Sequence, residues 1–213
     1  MELIQSLIDF ILHIDKHLAA IIAQYGTTTY LILFLIIFCE TGLVVTPFLP
    51  GDSLLFAAGA LAANEATELN IGLLSLIFIM AAVGGNILNY HIGRFIGPRA
   101  FEYDKWFLKK KNLEETQKFF EKYGVLAIVL SRFMPIIRTF APFVAGVGKM
   151  QRRKFHLYNF IGGVSWVMLF LLFGFLFGNL TFVKEHFSYI VIGIIFVSLV
   201  PVLIAFFKAR KNN

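Results

Sequence analysis

Apolar residues in this chain form long blocks: residues 29–63, 71–97, 123–148, 156–179 and 188–207. The first 25 residues differ. There Leu3, Leu7, Phe10, Ile11, Ile14 and Leu18 recur at three- and four-residue steps around Asp9, His13, Asp15, Lys16 and His17, the pattern of an amphipathic helix that lies on a membrane or packs against a bundle. A crossing needs about 20 apolar residues, so 71–97, 156–179 and 188–207 read as full transmembrane helices. The other two blocks are interrupted, the first by Gly42, Pro47, Pro50 and Gly51, the second by Pro135, Pro142, Gly146 and Gly148. Residues 98–122 are polar and charged.

Composition agrees with membrane residence. The 213 residues are 58% hydrophobic and 15% charged, against about 25% charged in a soluble domain. The chain reads as one membrane domain, 1–213, with no basic leader that would mark a cleavable signal. Charge then sets its direction. No Lys or Arg lies between Lys16 and Arg94, whereas Arg94, Arg99, Lys105, Lys109, Lys110, Lys111, Lys118 and Lys122 follow closely. By the positive-inside rule 98–122 is cytoplasmic, as are Lys149, Arg152, Arg153 and Lys154 and the tail Lys208, Arg210 and Lys211. Both ends of 123–148 therefore face the cytoplasm, and the block is a re-entrant hairpin whose half-helices of about 10 residues reach about 15 Å, near the midplane. The loop after 29–63 carries Glu65 and Glu68 and no basic residue, which places both ends of that block outside. The predicted fold is an all-α polytopic membrane protein: two opposed re-entrant hairpins in an inverted repeat, about three transmembrane helices and an amphipathic N-terminal helix. Pro47-Phe48-Leu49-Pro50-Gly51 resembles Pro142-Phe143-Val144-Ala145-Gly146, a faint trace of the repeat. The net charge of +6 does not imply nucleic acid, because the basic residues cluster at the ends of apolar blocks.

Four ionisable residues fall inside apolar blocks: Glu40, Asp52, Arg132 and Arg138. Each costs about 2.5–3.5 kcal/mol at the centre of a spanning helix, so such residues face protein or a water-filled cavity. Arg132 and Arg138 are six apart with Pro135 between them. A bend there brings two guanidiniums together, a geometry that binds phosphate through paired hydrogen bonds; the competing reading pairs each arginine with Glu40 or Asp52 to hold the hairpins together. The carboxylates read as proton carriers or counter-ions. Asp52 follows Pro50-Gly51 and suits a helix N-cap, whereas Glu40 has no capping role and is the first choice for proton coupling. Gly85, Asn89, Gly93 and Gly97 form a narrow face for close packing, with Asn86, Tyr90 and Arg94 as an adjacent stripe that packs or lines a pathway. Gly162 with Trp166, and Gly174 with Gly178, read as packing and interface anchors, and Lys109–Lys122 as a charged surface helix. Cys39 is the only cysteine, which excludes an internal disulfide and a thiolate cluster. No metal motif and no nucleophile with its base is found, so neither cofactor nor enzyme is expected.

The run ETGLVVTPFLPGDSLLFAAGALA, the glycine-tyrosine-arginine pattern at Gly85–Gly97, and SRFMPIIRTFAPFVAG followed by Phe155, Asn159, Gly162 and Trp166 resemble the DedA family of SNARE-associated, VTT-domain membrane proteins. The resemblance implies a multi-pass bacterial inner-membrane transporter with a cytoplasmic C-terminus. Relatives are associated with return of undecaprenyl phosphate to the cytoplasmic leaflet, envelope integrity and dependence on the proton motive force. It also implies that Glu40 and Asp52 are the acidic pair, Arg132 and Arg138 the basic pair. Many members carry Asp where this chain has Asn86. The expected partners are membrane lipids, a polyprenyl phosphate and protons, with homo-oligomer formation open. A proton-coupled small-cation antiporter and a non-transporting membrane organiser are the rivals.

Overall fold

The computed structural model describes residues 14–43, 51–64, 67, 69–97, 110–178, 180–187, 189–190 and 193–194. Pro47, Pro50, Glu65, Glu68, the first half of the predicted amphipathic helix, residues 98–109, and the crossing 188–207 past residue 194 lie outside them. Among the described residues every regular element is a helix. These are α1 (Ile14–Tyr25), α2 (Thr29–Gly42), α3 (Gly51–Ala62), α4 (Ile71–Ile96), α5 (Lys110–Tyr123), α6 (Ala127–Leu130), α7 (Pro135–Val147), α8 (Arg152–Phe177) and α9 (Thr181–Glu185).

Among the described residues, α4 and α8 alone are long and apolar enough to cross a membrane. Each has 26 residues, about 39 Å at 1.5 Å per residue. They run antiparallel through the centre: the side chains of Asn86 and Asn159 meet at 3.1 Å, and Val83 lies against Gly163. Their outward faces carry exposed Leu76, Met80, Phe160, Phe173 and Leu176, an apolar surface suited to lipid and costly in water.

The shorter helices lie along these two. The Asn70 amide donates to the Tyr30 hydroxyl at 2.8 Å, and Thr41 and Gly42 reach Ala81 and Gly85. Thus α2 runs parallel to α4 from its start to its midpoint. The chain resumes at Gly51 beside the Glu40 carboxylate. From there α3 runs parallel to α8: Asp52 at Trp166, Phe56 and Gly59 at Leu171 and Gly174, Ala60 at Gly178. That direction returns it to the end where α2 began. The second half repeats the arrangement upside down. Val129 and Arg132 lie against Gly162 and Gly163 of α8, a tight turn at Ser131–Phe133 breaks the chain, and α7 descends along α4 with Thr139 at Asn89, Phe143 at Gly93 and Gly146 at Arg94. Two broken helix pairs therefore enter the bundle from opposite ends, and their tips meet at its middle.

Local geometry marks the same inverted relation. Tyr25 and Tyr123 have φ −110° and −111°, and the glycines that follow, Gly26 and Gly124, have φ +51° and +55° and open matching tight turns. Only glycine enters that region without strain. The close crossings correspond too: a Cβ at Gly59 or Gly174 would strike the backbone of the other's helix, as it would at Gly93 or Gly146. The structural counterpart of Gly146 is thus Gly59, which replaces the register that matched Pro142–Gly146 to Pro47–Gly51.

Two expected breaks are not breaks. Pro142 sits inside continuous α7, and Gly146 packs in its last turn. A proline there removes one backbone donor, the one owed to the Arg138 carbonyl, which embedded helices tolerate. The real break is at Met134 (φ −126°, ψ 102°), with Pro135 opening α7. A Cβ at Gly97 would meet no described atom within 4 Å, and its φ of +65° ends α4. The charged α5 is not free of the bundle, since Thr116 is buried and Phe120 packs on the cluster of Phe140, Phe143, Val144 and Val147.

Gly93→Val and Gly174→Val should each destabilise the protein in detergent by about 1–3 kcal/mol, the cost of overpacking. Gly84→Ala, whose new methyl would meet only the Phe38 ring at 3.5 Å, should be neutral or stabilising. Thermal unfolding checks both, and equal melting of all three variants would show that the crossings are not tight.

Candidate functional site: a buried four-charge centre

Where the tips of the broken pairs meet, the chain buries four charges. Glu40 lies in the last turn of α2, Asp52 in the first turn of α3, Arg132 in the break after α6 and Arg138 one turn into α7. A carboxylate in a helix's first turn also meets the positive end of its dipole. Glu40, Arg132 and Arg138 are 4%, 1% and 7% exposed.

The charges are unevenly shared. Arg138 holds both carboxylates: Nη2 to Glu40 Oε1 and Nη1 to Asp52 Oδ1, each at 2.6 Å. One guanidinium fork thereby ties α7 to both arms of the first broken pair, with the strength of charge-assisted bonds. The indole of Trp166 donates to Asp52 Oδ1 at 2.7 Å. Among the described residues no carboxylate bonds Arg132. Its Nη2 donates to the Asn159 side-chain oxygen at 2.8 Å and the Ala82 carbonyl at 3.1 Å. In the amide orientation that satisfies both of its ends, Asn86 accepts from Arg132 Nη2 at 2.9 Å and Nε at 3.3 Å while donating to the Thr41 carbonyl. Arg132 Nη1 is buried without a hydrogen-bond partner. The two guanidiniums share the Trp166 ring, Arg138 5.0 Å and Arg132 5.9 Å from its centre, where cation–π attraction offsets part of their repulsion.

The expected residues separate accordingly. Glu40, Asp52, Arg132, Arg138 and Asn86 come together. Gly51 begins α3 where a Cβ would collide with the Glu40 carboxylate. Asp52 is not an N-cap; it lies inside the first turn, and its carboxylate serves Arg138 and Trp166. Tyr90 and Arg94 form a separate brace nearer the end of α4: Tyr90 stacks on Phe155, donates to the Met150 carbonyl at 2.6 Å and accepts from Arg94 Nη1 at 2.9 Å. Sequence reasoning placed Trp166 among packing residues and gave Asn159 no role. The available signal was the stripe Asn159, Gly162, Gly163, Trp166 on one face of apolar α8. Asn89, grouped with the packing glycines, instead donates to the Thr139 carbonyl at 2.9 Å and the Thr41 carbonyl at 3.4 Å, linking both broken pairs. Among the described residues no group of three His, Cys, Asp or Glu could hold a metal ion.

Residues 49–176, which include Asp52, both arginines, Asn159 and Trp166, match the VTT domain. The chain belongs to the VTT-domain, or DedA, family. It is 50% identical to Protein DedA of Escherichia coli (strain K12) over 212 residues, 99% of this chain and 97% of that one. It is 42% identical over 192 residues to an uncharacterized membrane protein of Mycobacterium tuberculosis (strain ATCC 25618 / H37Rv), covering 88% and 84% of the two chains. With the inner membrane protein YghB of E. coli K12 it shares 32% over 196 residues, 87% and 84% of the two chains. No solved structure matches the chain. This DedA-family chain is a membrane protein, and its charged centre lies almost wholly within the family's domain.

Breaking one partner of a buried ion pair costs about 3–5 kcal/mol, because the remaining charge is uncompensated. Arg138→Met should be destabilised by that order, and the triple variant Glu40→Gln/Asp52→Asn/Arg138→Met should recover most of the loss. Denaturation in detergent measures both; a triple variant no more stable than the single one would mean that the charges themselves hold the fold.

Proposed function

We propose that the protein is a proton-motive-force-dependent flippase of a polyprenyl phosphate or related anionic lipid in the bacterial inner membrane. The observation that supports this most is a buried arginine that no described carboxylate bonds, placed where two oppositely directed broken helix pairs meet. In this reading α4 and α8 cross the membrane, α2/α3 and α6/α7 re-enter it from opposite faces, and basic residues put α5 and the C-terminus in the cytoplasm. A phosphate headgroup crosses the membrane only if its charge is matched throughout. Buried arginine charge at the midplane supplies that match while the prenyl tail stays in lipid. Glu40 and Asp52 hold Arg138 when ionised; protonation of either loosens the lock between the pairs and couples their movement to the proton gradient.

A small-cation antiporter has less support, since both carboxylates are committed to Arg138. A purely structural role draws on the same completed ion pairs but leaves Arg132 unexplained.

The test is movement of a fluorescent polyprenyl phosphate across proteoliposomes with and without an imposed pH gradient. Wild-type protein should accelerate it under the gradient. Arg132→Ala should lower the rate by about tenfold or more, the loss of one charge-assisted hydrogen bond, and Glu40→Ala should abolish the response to pH. Wild-type rates in folded variants would end this reading.

A further inference from the structure

Resting on that reading and refining it, we infer that the two buried arginines are not a joint clamp: Arg132 is the anion anchor, and Arg138 is the latch between the broken pairs. The assignment follows from what each guanidinium has left to offer. Arg138 spends Nη1 and Nη2 on two carboxylates, so an anion at Arg138 must displace a carboxylate and meet the other at close range. The described hydrogen-bond partners of Arg132 are all neutral, and Glu40, whose charge attracts it, is bonded to Arg138 instead. The amides of Asn159 and Asn86 and the carbonyl of Ala82 take Arg132 Nη2 and Nε, which fixes the plane of the guanidinium and leaves Nη1, buried and unpartnered, as its free face. A buried unpaired donor is costly, and a phosphate oxygen is the acceptor that relieves it.

Asn159 is thereby a positioning residue. Its side-chain oxygen accepts from Arg132 while its amide nitrogen donates to the Val83 carbonyl at 3.0 Å, so its orientation is set from α4 and passed to the arginine. Neutrality matters as much as geometry. An aspartate at this position keeps the shape but gives Arg132 a resident counter-ion that competes with the incoming phosphate. The latch has the opposite design, with its counter-ions built in on α2 and α3. The ligand chemistry is a terminal phosphate group, whether of a prenyl phosphate or of free phosphate.

The experiment uses full-length protein in lipid nanodiscs with Trp106→Phe, so that Trp166, beside both arginines, is the sole tryptophan. Farnesyl phosphate is titrated against Trp166 fluorescence, with inorganic phosphate in a parallel arm and equilibrium dialysis of labelled ligand as the second measurement. The expected result is saturable binding weakened about tenfold or more by Arg132→Gln and by Asn159→Asp. The latch-free variant Glu40→Gln/Asp52→Asn/Arg138→Gln, which leaves no orphaned carboxylate, should keep the affinity within about threefold while losing gradient-driven transport. Should Arg132→Gln fail to fold, the near-isosteric Asn159→Asp carries the test. Farnesyl phosphate binding far tighter than inorganic phosphate identifies a lipid headgroup; equal binding keeps the anchor and reassigns its ligand to free phosphate. Equal loss in the latch-free variant and Arg132→Gln would overturn the division of roles alone. No binding to wild type by either method would overturn the headgroup reading and this assignment together.

Discussion

The charged centre turns on one guanidinium. Arg138 grips both arms of the first broken pair, and it does so from the first turn of a helix in the second pair. Two carboxylates and an arginine at this depth are expensive to bury and cheap to keep together, since the low dielectric that penalises each charge alone strengthens their attraction. Glu40 at the end of α2, Asp52 at the start of α3 and Arg138 near the start of α7 place the charges where the helices stop, which is also where the backbone has unsatisfied polar groups.

Around that point the rest of the structure is close packing. Glycine contacts fasten α3 to α8 and α7 to α4, bringing backbones within reach at Gly59, Gly174, Gly93 and Gly146. Such contacts hold embedded helices together where the hydrophobic effect gives little. Each broken pair is thus fixed to a long helix on one side and to its opposite number through the charges on the other. In the proposed flippase the glycine contacts stay put, and the ion pairs are the part that a proton can release.

Much of this was legible in the chain. Charged residues inside apolar blocks have few tenable places, so Glu40, Asp52, Arg132 and Arg138 stood out, and the asymmetry of Lys and Arg set an expectation of the blocks' directions. Pairing was not legible, because which carboxylate meets which arginine depends on how far each helix descends beside α4 and α8. The breaks were half legible. Pro135 and Pro142 look alike locally, and both disfavour helix in the preceding residue, yet Met134 is extended while α7 continues through Pro142. Neighbouring helices decide between them. Trp166 and Asn159 resembled ordinary packing residues because a lone indole and a lone amide in an apolar helix carry no sign of their partners on other helices.

The opposed entry of the two broken pairs is the claim on which the account stands, and labelling from each side of the membrane tests it most directly. Thr28 and Leu126 close corresponding tight turns at opposite ends of the bundle, and both are exposed. With Cys39→Ser removing the native thiol, Thr28→Cys and Leu126→Cys would be treated with a membrane-impermeant maleimide in spheroplasts and in inverted vesicles. The account predicts that Thr28→Cys reacts only in spheroplasts and Leu126→Cys only in inverted vesicles. Reaction of both from the same side would contradict it.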